Sequence, residues 1–430
     1  MSKKSAEPQR DQSRNASSVD QVLQQLTIPM IAGIEATKRG LLAFVHEMGL
    51  AALSELLGLQ AAEIAGPKGK HNAHRTSHHW GTARTPLPFG GRNVVVQRPR
   101  VRGTDGREIM LEAIEEFRGA DPMPERVAEQ IAVGVSTRRY RRSLEPVPEQ
   151  MGERGTSKSA ASRALIVNTA SKLDEFLQRP LGDLELIAMY LDGVEFAGTA
   201  SIVALGVTTD GTKVPLGVWL GSTENAVITT ELLQNLIARG LRVDGRTLFV
   251  IDGGKGIRKA LRDVFGDRAV VQRCQVHKMR NVLDHLPDSR RAYVRRQMRD
   301  AYRSKTFATG RKLLLQLASW LESNDEDSAA QSLREGLDET LTVLRLGLSD
   351  ALRRTFATTN PIENMNGTLR RVCRNVKRWR GQSMVRRWIA LGLAEAQRKF
   401  RRIKGHRQLP SLIASLRPTS TTLDIQKKVA

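Results

Sequence analysis

Residues 184–198 read LELIAMYLDGVEFAG, residues 200–211 read ASIVALGVTTDG and residues 212–223 read TKVPLGVWLGST. All three are rich in Val, Ile and Leu and are joined by short turns such as Asp210-Gly211, the pattern of a β-meander. A helical segment follows, ENAVITTELLQNLIARG at 224–240. Then come a strand TLFVID (247–252), a helix GIRKALRDVFG (256–266) and a strand AVVQRCQV (269–276). Three consecutive strands followed by alternating helix and strand specify one mixed α/β sheet.

That order is of the ribonuclease H type, with an aspartate leaving the fourth strand. From residue 278 to about 354 the strand signal is weak. RRAYVRRQMRDAY (290–302), GRKLLLQLASWLES (310–323) and AAQSLREGLDETLTVLRL (329–346) have helical spacing. The expected fold is therefore a ribonuclease H-like α/β core over 184–284 and 355–380. An all-helical insertion over 285–354 interrupts it, and basic C-terminal helices and a tail follow over 381–430.

Upstream, residues 1–18 are polar and read as disordered. Residues 19–122 read as helices to about 65, a Gly-, Pro-, Arg- and His-rich loop over 66–92, and a strand NVVVQRPRVRG (93–103) broken at Pro99. Residues 123–180 read as a helix-turn-helix-like DNA-binding region. PERVAEQIAVGV (124–135) and then STRRYRRSL (136–144) are followed by a turn near 152–155 and by TSKSAASRALIVNTASKLDEF (156–176), with Thr156 or Ser157 as N-cap. Ser157, Lys158 and Arg163 lie in its first turns, where a recognition helix meets DNA.

The chain has 430 residues, 68 Lys and Arg against 45 Asp and Glu, and a formal net charge of +23. Such an excess concerns partners rather than fold, and a nucleic acid is the first candidate. Two cysteines, Cys274 and Cys373, give no disulfide framework and suit a reducing cytoplasm. The first residues lack the apolar core of a signal peptide, and residues 41–62 carry His46, Glu47 and Glu55, so they read as an amphipathic helix.

Asp192 and Asp252 each stand at the end of an apolar run, and Glu363 stands at the start of the helix in TNPIENMNGTLRR (359–371). Three carboxylates delivered in this way can hold two hard divalent cations and do phosphoryl chemistry. The competing reading is structural. Asp-Gly after a strand is usually a turn, and Glu363 could be the carboxylate of a capping box with Asn360 as N-cap and Pro361 as first helical residue. Helix faces favour function: Ile362, Met365, Leu369, Val372, Cys373 and Val376 form an apolar stripe, while Glu363 heads a basic one with Arg370, Arg374 and Lys377. A phosphate-loop reading of VIDGGKG (250–256) fails, since Phe249 and Gly256 stand where such a loop needs glycine and Ser or Thr.

Cys274-x-x-His277 is half of a zinc site, without a second pair at suitable spacing. The cluster His71, His74, His78 and His79 reads as loop residues beside phosphate. Arg378 and Trp379, next to Arg380, read as a DNA contact, whereas Trp388 aligns with Val385 and Leu391 as core.

Taken together, LDGVEF (191–196), VIDGGKGIRKAL (250–261), QRCQVHKMRNVLDHLP (272–287) and TTNPIENMNGTLRRV (358–372) resemble the bacterial insertion-sequence transposases related to the plant Mutator element. The resemblance covers roughly residues 184–405. It implies a catalytic Asp-Asp-Glu triad (Asp192, Asp252, Glu363) holding Mg²⁺, with Mn²⁺ as substitute. It also implies that Cys274 and His277 handle DNA beside the active site. The implied reaction frees a 3′-hydroxyl at an element end and joins it to a target phosphodiester. The implied partners are terminal inverted repeats, target DNA and a second subunit, in a bacterial cytoplasm at the nucleoid. The rivals are a non-catalytic DNA-binding regulator, in which the acids only cap and turn, and a nuclease of the same fold.

Overall fold

The computed structural model describes residues 41–417, apart from 71–73, 120–121, 146, 148–151, 197, 222–225, 244 and 375. The reading of residues 1–18 and of His71 falls outside the described residues. The chain divides into two compact units, Met1–Asn168 and Thr169–Ala430.

In the first unit, helix α1 (Leu41–Ala65) precedes strands β1 (Ser77–Phe89), β2 (Arg92–Gly103) and β3 (Glu108–Ile109) and helices α2 (Glu112–Gly119) and α3 (Met123–Ala132). A short strand β4 (Glu153–Arg154) and the start of helix α4 (Lys158–Gln178) complete it. Leu50, Leu53, Leu57, Ala61 and Ala65 recur at helical spacing on α1. They pack on Leu87 of β1 and on Val94, Val96 and Val101 of β2. The stretch Glu47–Ala65 is long and apolar enough to cross a membrane, but this stripe is used in the core of the unit.

The segment 66–92, expected as loop, is mostly strand. Pro86 and Pro88 suggested a loop, yet β1 is an edge strand of the order β1-β2-β3, where proline is tolerated. Nor does Pro99 break β2, which runs through it and pairs Pro99 with Thr82. The hairpin turns at Gly90 and Gly91, both with positive φ (57° and 86°), as a two-residue turn of this hand requires. A side chain at Gly91 would strike the Tyr140 hydroxyl, which donates to the Gly91 carbonyl at 2.5 Å.

The helix-turn-helix expectation for 123–180 is corrected. That motif joins its helices by a turn of three or four residues. Here residues 133–157 separate α3 from α4. They include a 3₁₀ turn (Tyr140–Ser143) and β4, which pairs with β2 through Asn93↔Arg154 and Val94↔Glu153. Ser157 does cap α4, its Oγ accepting from Ala160 N at 3.2 Å. Ser157, Lys158 and Arg163 are exposed.

The second unit is built on a five-stranded sheet of β5 (Leu186–Phe196), β6 (Thr199–Thr208), β7 (Lys213–Gly221), β8 (Thr247–Ile251) and β9 (Ala269–Arg273), in the order β7-β6-β5-β8-β9. The meander β5-β6-β7 is antiparallel, and β8 and β9 run parallel to β5. Helices α5 (Ala226–Ala238) and α6 (Lys255–Phe265) pack against Met189, Leu191, Phe249 and Ile251 on one face. Helices α13 (Asp350–Phe356), α14 (Asn360–Cys373) and α15 (Gln382–Arg398), with α16 (Leu409–Leu416), cover Ala188, Tyr190, Leu248 and Val250 on the other. Tyr190 ties the sheet to α13 by stacking on Phe356 at 6.1 Å and donating to the Thr355 carbonyl at 3.1 Å.

The mixed α/β sheet is as expected, and so is the helical stretch between its last strand and α14. That stretch comprises α7 (Gln275–Asp284), α8 (Asp288–Tyr302), α9 (Phe307–Glu322), α10 (Asp327–Arg334), α11 (Leu337–Thr340) and α12 (Thr342–Arg345). It has its own core, including Val294, Met298, Leu314, Leu317, Leu321 and Leu333. Buried polar side chains fasten it to β9. Gln272 donates to the Thr340 carbonyl at 2.9 Å and accepts from Val343 N at 2.9 Å. Arg273 donates to the Glu335 carbonyl at 3.1 Å. Lys278, fully buried on α7, donates to the carbonyls of Ser332 and Glu335 at the end of α10. Burial, with Arg273 nearby, pulls the Lys278 ammonium down to about 8.

Removing the Lys278 ammonium takes a donor from the Ser332 carbonyl and leaves the Glu335 carbonyl to Arg273 alone. Lys278→Ala is therefore expected to lower unfolding stability by roughly 2–4 kcal/mol. Urea unfolding measures it; an unchanged midpoint would show that Lys278 does not help to hold the helical stretch.

Candidate active site

The site follows from strand register. β5 and β8 pair in parallel, Tyr190 with Val250 and Leu191 with Ile251. One residue further along, Asp192 comes alongside Asp252. Side chains alternate across a sheet, so both acids lie on the face of Tyr190 and Val250, which α14 covers. Neighbouring strands are about 4.8 Å apart, so the two carboxylates share one small volume. Asp192 does not end its strand as expected. β5 continues to Phe196, paired there only with β6. The parallel partner ends instead, and Asp252 begins the turn into α6.

That turn is tightly specified. Asp252 Oδ1 accepts from Gly254 N at 2.8 Å. Gly253 has a φ of 110°, and a side chain there would collide with the Arg273 guanidinium.

Glu363 arrives from α14. The helix starts one residue earlier than expected, with Thr359 as N-cap and Pro361 in the first turn. The capping-box reading is corrected. Thr359 N donates to Cys274 Sγ at 3.5 Å, and its hydroxyl is turned away from the helix backbone. Thr359 Oγ1 lies 2.7 Å from Glu363 Oε1, 3.3 Å from His277 Nδ1 and 3.4 Å from Cys274 Sγ. A hydroxyl has one proton, and the shortest contact takes it to Glu363, so His277 Nδ1–H donates to Thr359. The other imidazole nitrogen, Nε2, stands 3.7 Å from Glu363 Oε1.

Cys274 and His277 thus brace the Glu363 helix. Both are engaged by Thr359. Burial would raise the Cys274 thiol, but hydrogen bonds with His277 and Thr359 outweigh it and bring it below its usual value. The hydrogen bond with Cys274 raises the His277 imidazole, against burial, and the charges of Glu363 and Asp252 add to the effect.

Asn366, one turn beyond Glu363, is 1% exposed and donates from Nδ2 to Asp192 Oδ2 at 2.7 Å. Its Oδ1 is buried and has no hydrogen-bond partner among the described residues. Asp192 is pushed up to about 6, first by burial and then by the charges of Asp252 and Glu363, with His277 and Asn366 opposing.

Asp192, Asp252, Glu363, His277 and Arg370 line one polar cleft of about 700 Å³, together with Gly193, Arg280, Asn360, Asn364 and Asn366. Arg374, Lys377 and Arg378 are exposed but do not line it. Trp379 is half-buried and packs on the core of the unit, edge-on to Trp388 with ring centroids 6.3 Å apart. Cys373 is core, as expected, and burial pushes its thiol up to about 12. Of the clustered histidines, His78 and His79 belong to β1, and the His79 ring is bonded to the Gly66 carbonyl at 2.8 Å. Sequence reasoning missed Thr359, Asn366 and Arg280. The signal for Asn366 was its spacing of three from Glu363, one helical turn on a shared face.

The family model described as "Transposase, Mutator family" matches residues 20–403. The chain belongs to this family. It is 30% identical over 313 residues to the transposase of insertion sequence element IS406 from Burkholderia multivorans, covering 70% of this chain and 76% of that one. It is 30% identical over 203 residues to the transposase of ISRM3 from Rhizobium meliloti, but spans only half of that relative's length, with 47% of this chain aligned. The transposase of IS256 in transposon Tn4001 from Staphylococcus aureus is 25% identical over 276 residues, 62% of this chain and 68% of the relative. The family assignment thus agrees with the resemblance seen in the motifs.

The raised Asp192 carboxyl sets a pH dependence. A folded value above the unfolded one means that the contribution is fully present below about pH 4 and is lost as pH rises through about 6. Protein kept in chelator is therefore expected to lose about 3 kcal/mol of stability across that window, and Asp192→Asn to lose much less. Equal pH dependence in both proteins, by urea unfolding, would refute it.

Proposed function

We propose that this chain is a divalent-metal-dependent transposase that cleaves DNA at the ends of an insertion sequence and joins the freed 3′-hydroxyl to a target strand. In this reading its second unit is a ribonuclease H-like core with Asp192, Asp252 and Glu363 as the catalytic acids. The observation that carries it is the pair Asp192 and Asp252 on adjoining parallel strands, with Glu363 facing the same cleft. The sheet order and the names of the relatives, all transposases of insertion elements, support it.

The donor set suits Mg²⁺ or Mn²⁺. Such ions take one or two protein carboxylates, keep several waters and accept phosphate oxygens, so they need no closed protein cage. Three carboxylates line one polar cleft, and one of them is pushed upward first by burial and then by its neighbours' charge, which a bound cation would offset. Asp192 and Asp252 would hold one cation and Asp192 and Glu363 a second. When bound, the cations would activate the attacking oxygen and neutralise charge on the leaving oxygen.

The chain's own residues supply position. Asn366 fixes one oxygen of Asp192, and Thr359 fixes one oxygen of Glu363. Each acid keeps its second oxygen for ligation. Arg280 and Arg370, at the cleft, bind non-bridging phosphate oxygens of the strand. His277, braced through Nδ1, donates from Nε2 to the phosphodiester in its protonated form, which its surroundings favour. The second subunit and the terminal repeats belong to this proposal, since two ends must be brought together.

Asp192→Asn, Asp252→Asn and Glu363→Gln are each expected to lower cleavage and joining by at least about a hundredfold while DNA binding stays near normal. The assay incubates protein and Mg²⁺ with DNA carrying the native element ends and sequences the products. Cleavage without joining would point to a nuclease. Full activity in Glu363→Gln would move the third ligand elsewhere.

A further inference from the structure

The first unit carries an aromatic and basic surface that the active-site chemistry does not use. Trp80 on β1 is 48% exposed, an unfavourable setting for so large an apolar ring. The backbone puts it there. The register of β1 on β2 steps from His79↔Val101 to Thr82↔Pro99, so Trp80 and Gly81 together oppose Arg100. Gly81 has a φ of 78°, which glycine adopts without strain. A bulge of this kind re-aims a side chain, and here it turns the indole outward.

The exposed ring is also held. The Arg102 guanidinium lies 4.5 Å from the Trp80 ring centroid, and His78 stands edge-on at 5.6 Å with an interplanar angle of 74°. His78 and Arg102 are direct cross-strand partners. A cation on an indole is favourable by about 0.5–1 kcal/mol at an exposed site, which favours this orientation of the ring. Further along the ribbon Arg84 and Gln97 are cross-strand partners and both exposed. Glu108 of β3 is already taken by Arg98 and Arg100. Arg84 and Arg102 form no ion pair among the described residues.

We propose that Trp80, backed by Arg102 and His78, is a stacking platform for an unpaired DNA base, with Arg84 and Arg102 on the adjoining phosphates. The proposal rests on the reading that the chain acts on DNA. Bases inside a duplex already have both faces covered, so an indole finds a free face at an unpaired base or, less accessibly, on a terminal pair. A protein partner would call for an apolar rim, whereas this rim is Thr82, Arg84, Gln97 and Arg102, and its net charge suits a polyanion.

The test uses the full chain at fixed salt and two labelled duplexes of one sequence, one blunt and one with an unpaired 3′ overhang. Trp80→Ala is expected to weaken binding to the overhang about 5- to 100-fold and to the blunt duplex far less. Trp80→Phe keeps most of the affinity. Overhang DNA quenches part of the wild-type indole fluorescence, and that part is missing in Trp80→Phe. Equal overhang affinity in wild type and Trp80→Ala would overturn the proposal. So would an equal loss on both duplexes, or a change of oligomeric state in Trp80→Ala without a change in DNA affinity. If the wild type binds neither duplex, the DNA reading itself fails. If Glu363→Gln keeps the overhang preference while losing cleavage, the platform stands apart from the chemistry.

Discussion

Two carboxylates held side by side on adjoining parallel strands are the constraint around which the second unit is organised. Asp192 and Asp252 repel each other in a setting where Asp192 is 9% exposed. In isolation the chain would relieve that repulsion by moving them apart or protonating one. It cannot move them apart. The register of β5 on β8 is fixed by Tyr190↔Val250 and Leu191↔Ile251, whose side chains fill the cores on both faces of the sheet. A slip of one residue would send every one of them to the wrong face. The apolar layers therefore hold the pair in place, and the cost of ionising Asp192, from burial first and then from the charge of Asp252, appears as its raised carboxyl.

The third acid depends on that pair through a longer chain of contacts. Helix α14 lies across the sheet by burying Ile362, Met365, Leu369 and Val372, and the same docking brings Asn366 onto Asp192. The start of the helix is anchored separately, by Thr359 against Cys274 and His277 at the beginning of α7. α7 is anchored in turn by Lys278, whose buried ammonium caps the end of α10. Rigid placement of Glu363 thus draws on both the sheet and the inserted helices, which explains why a long helical stretch can interrupt the core without loosening the site.

The first unit follows a different logic. Its helix α1 and its small sheet bury one face each, and the opposite face of the ribbon is left basic, with one indole turned outward by a bulge. Charge alone would attract any polyanion. A fixed aromatic surface adds a requirement of shape that a diffuse positive field lacks.

Composition and pattern alone identified a basic chain built on a mixed α/β sheet, with a helical stretch before Glu363 and with Asp192, Asp252 and Glu363 as the acids to watch. Those features are local or periodic: a β-meander, an Asp-Gly after an apolar run, a helix with one apolar stripe. Tertiary structure decided the rest. Strand β1 was hidden because Pro86, Pro88 and Gly81 look like a loop until β1 is known to be an edge strand. The supposed helix-turn-helix dissolved because residues 153–154 pair with β2, a contact some sixty residues away in sequence. Trp379 looked like a DNA contact beside its arginines, yet packing against Trp388 draws it onto the core. The roles of Thr359 and Asn366 could not be read from the chain, since each is defined by a partner distant in sequence, Cys274 for one and Asp192 for the other. Residue type and spacing determine what a side chain can do, but which partner it meets is settled only when the sheet register and the helix docking are fixed together.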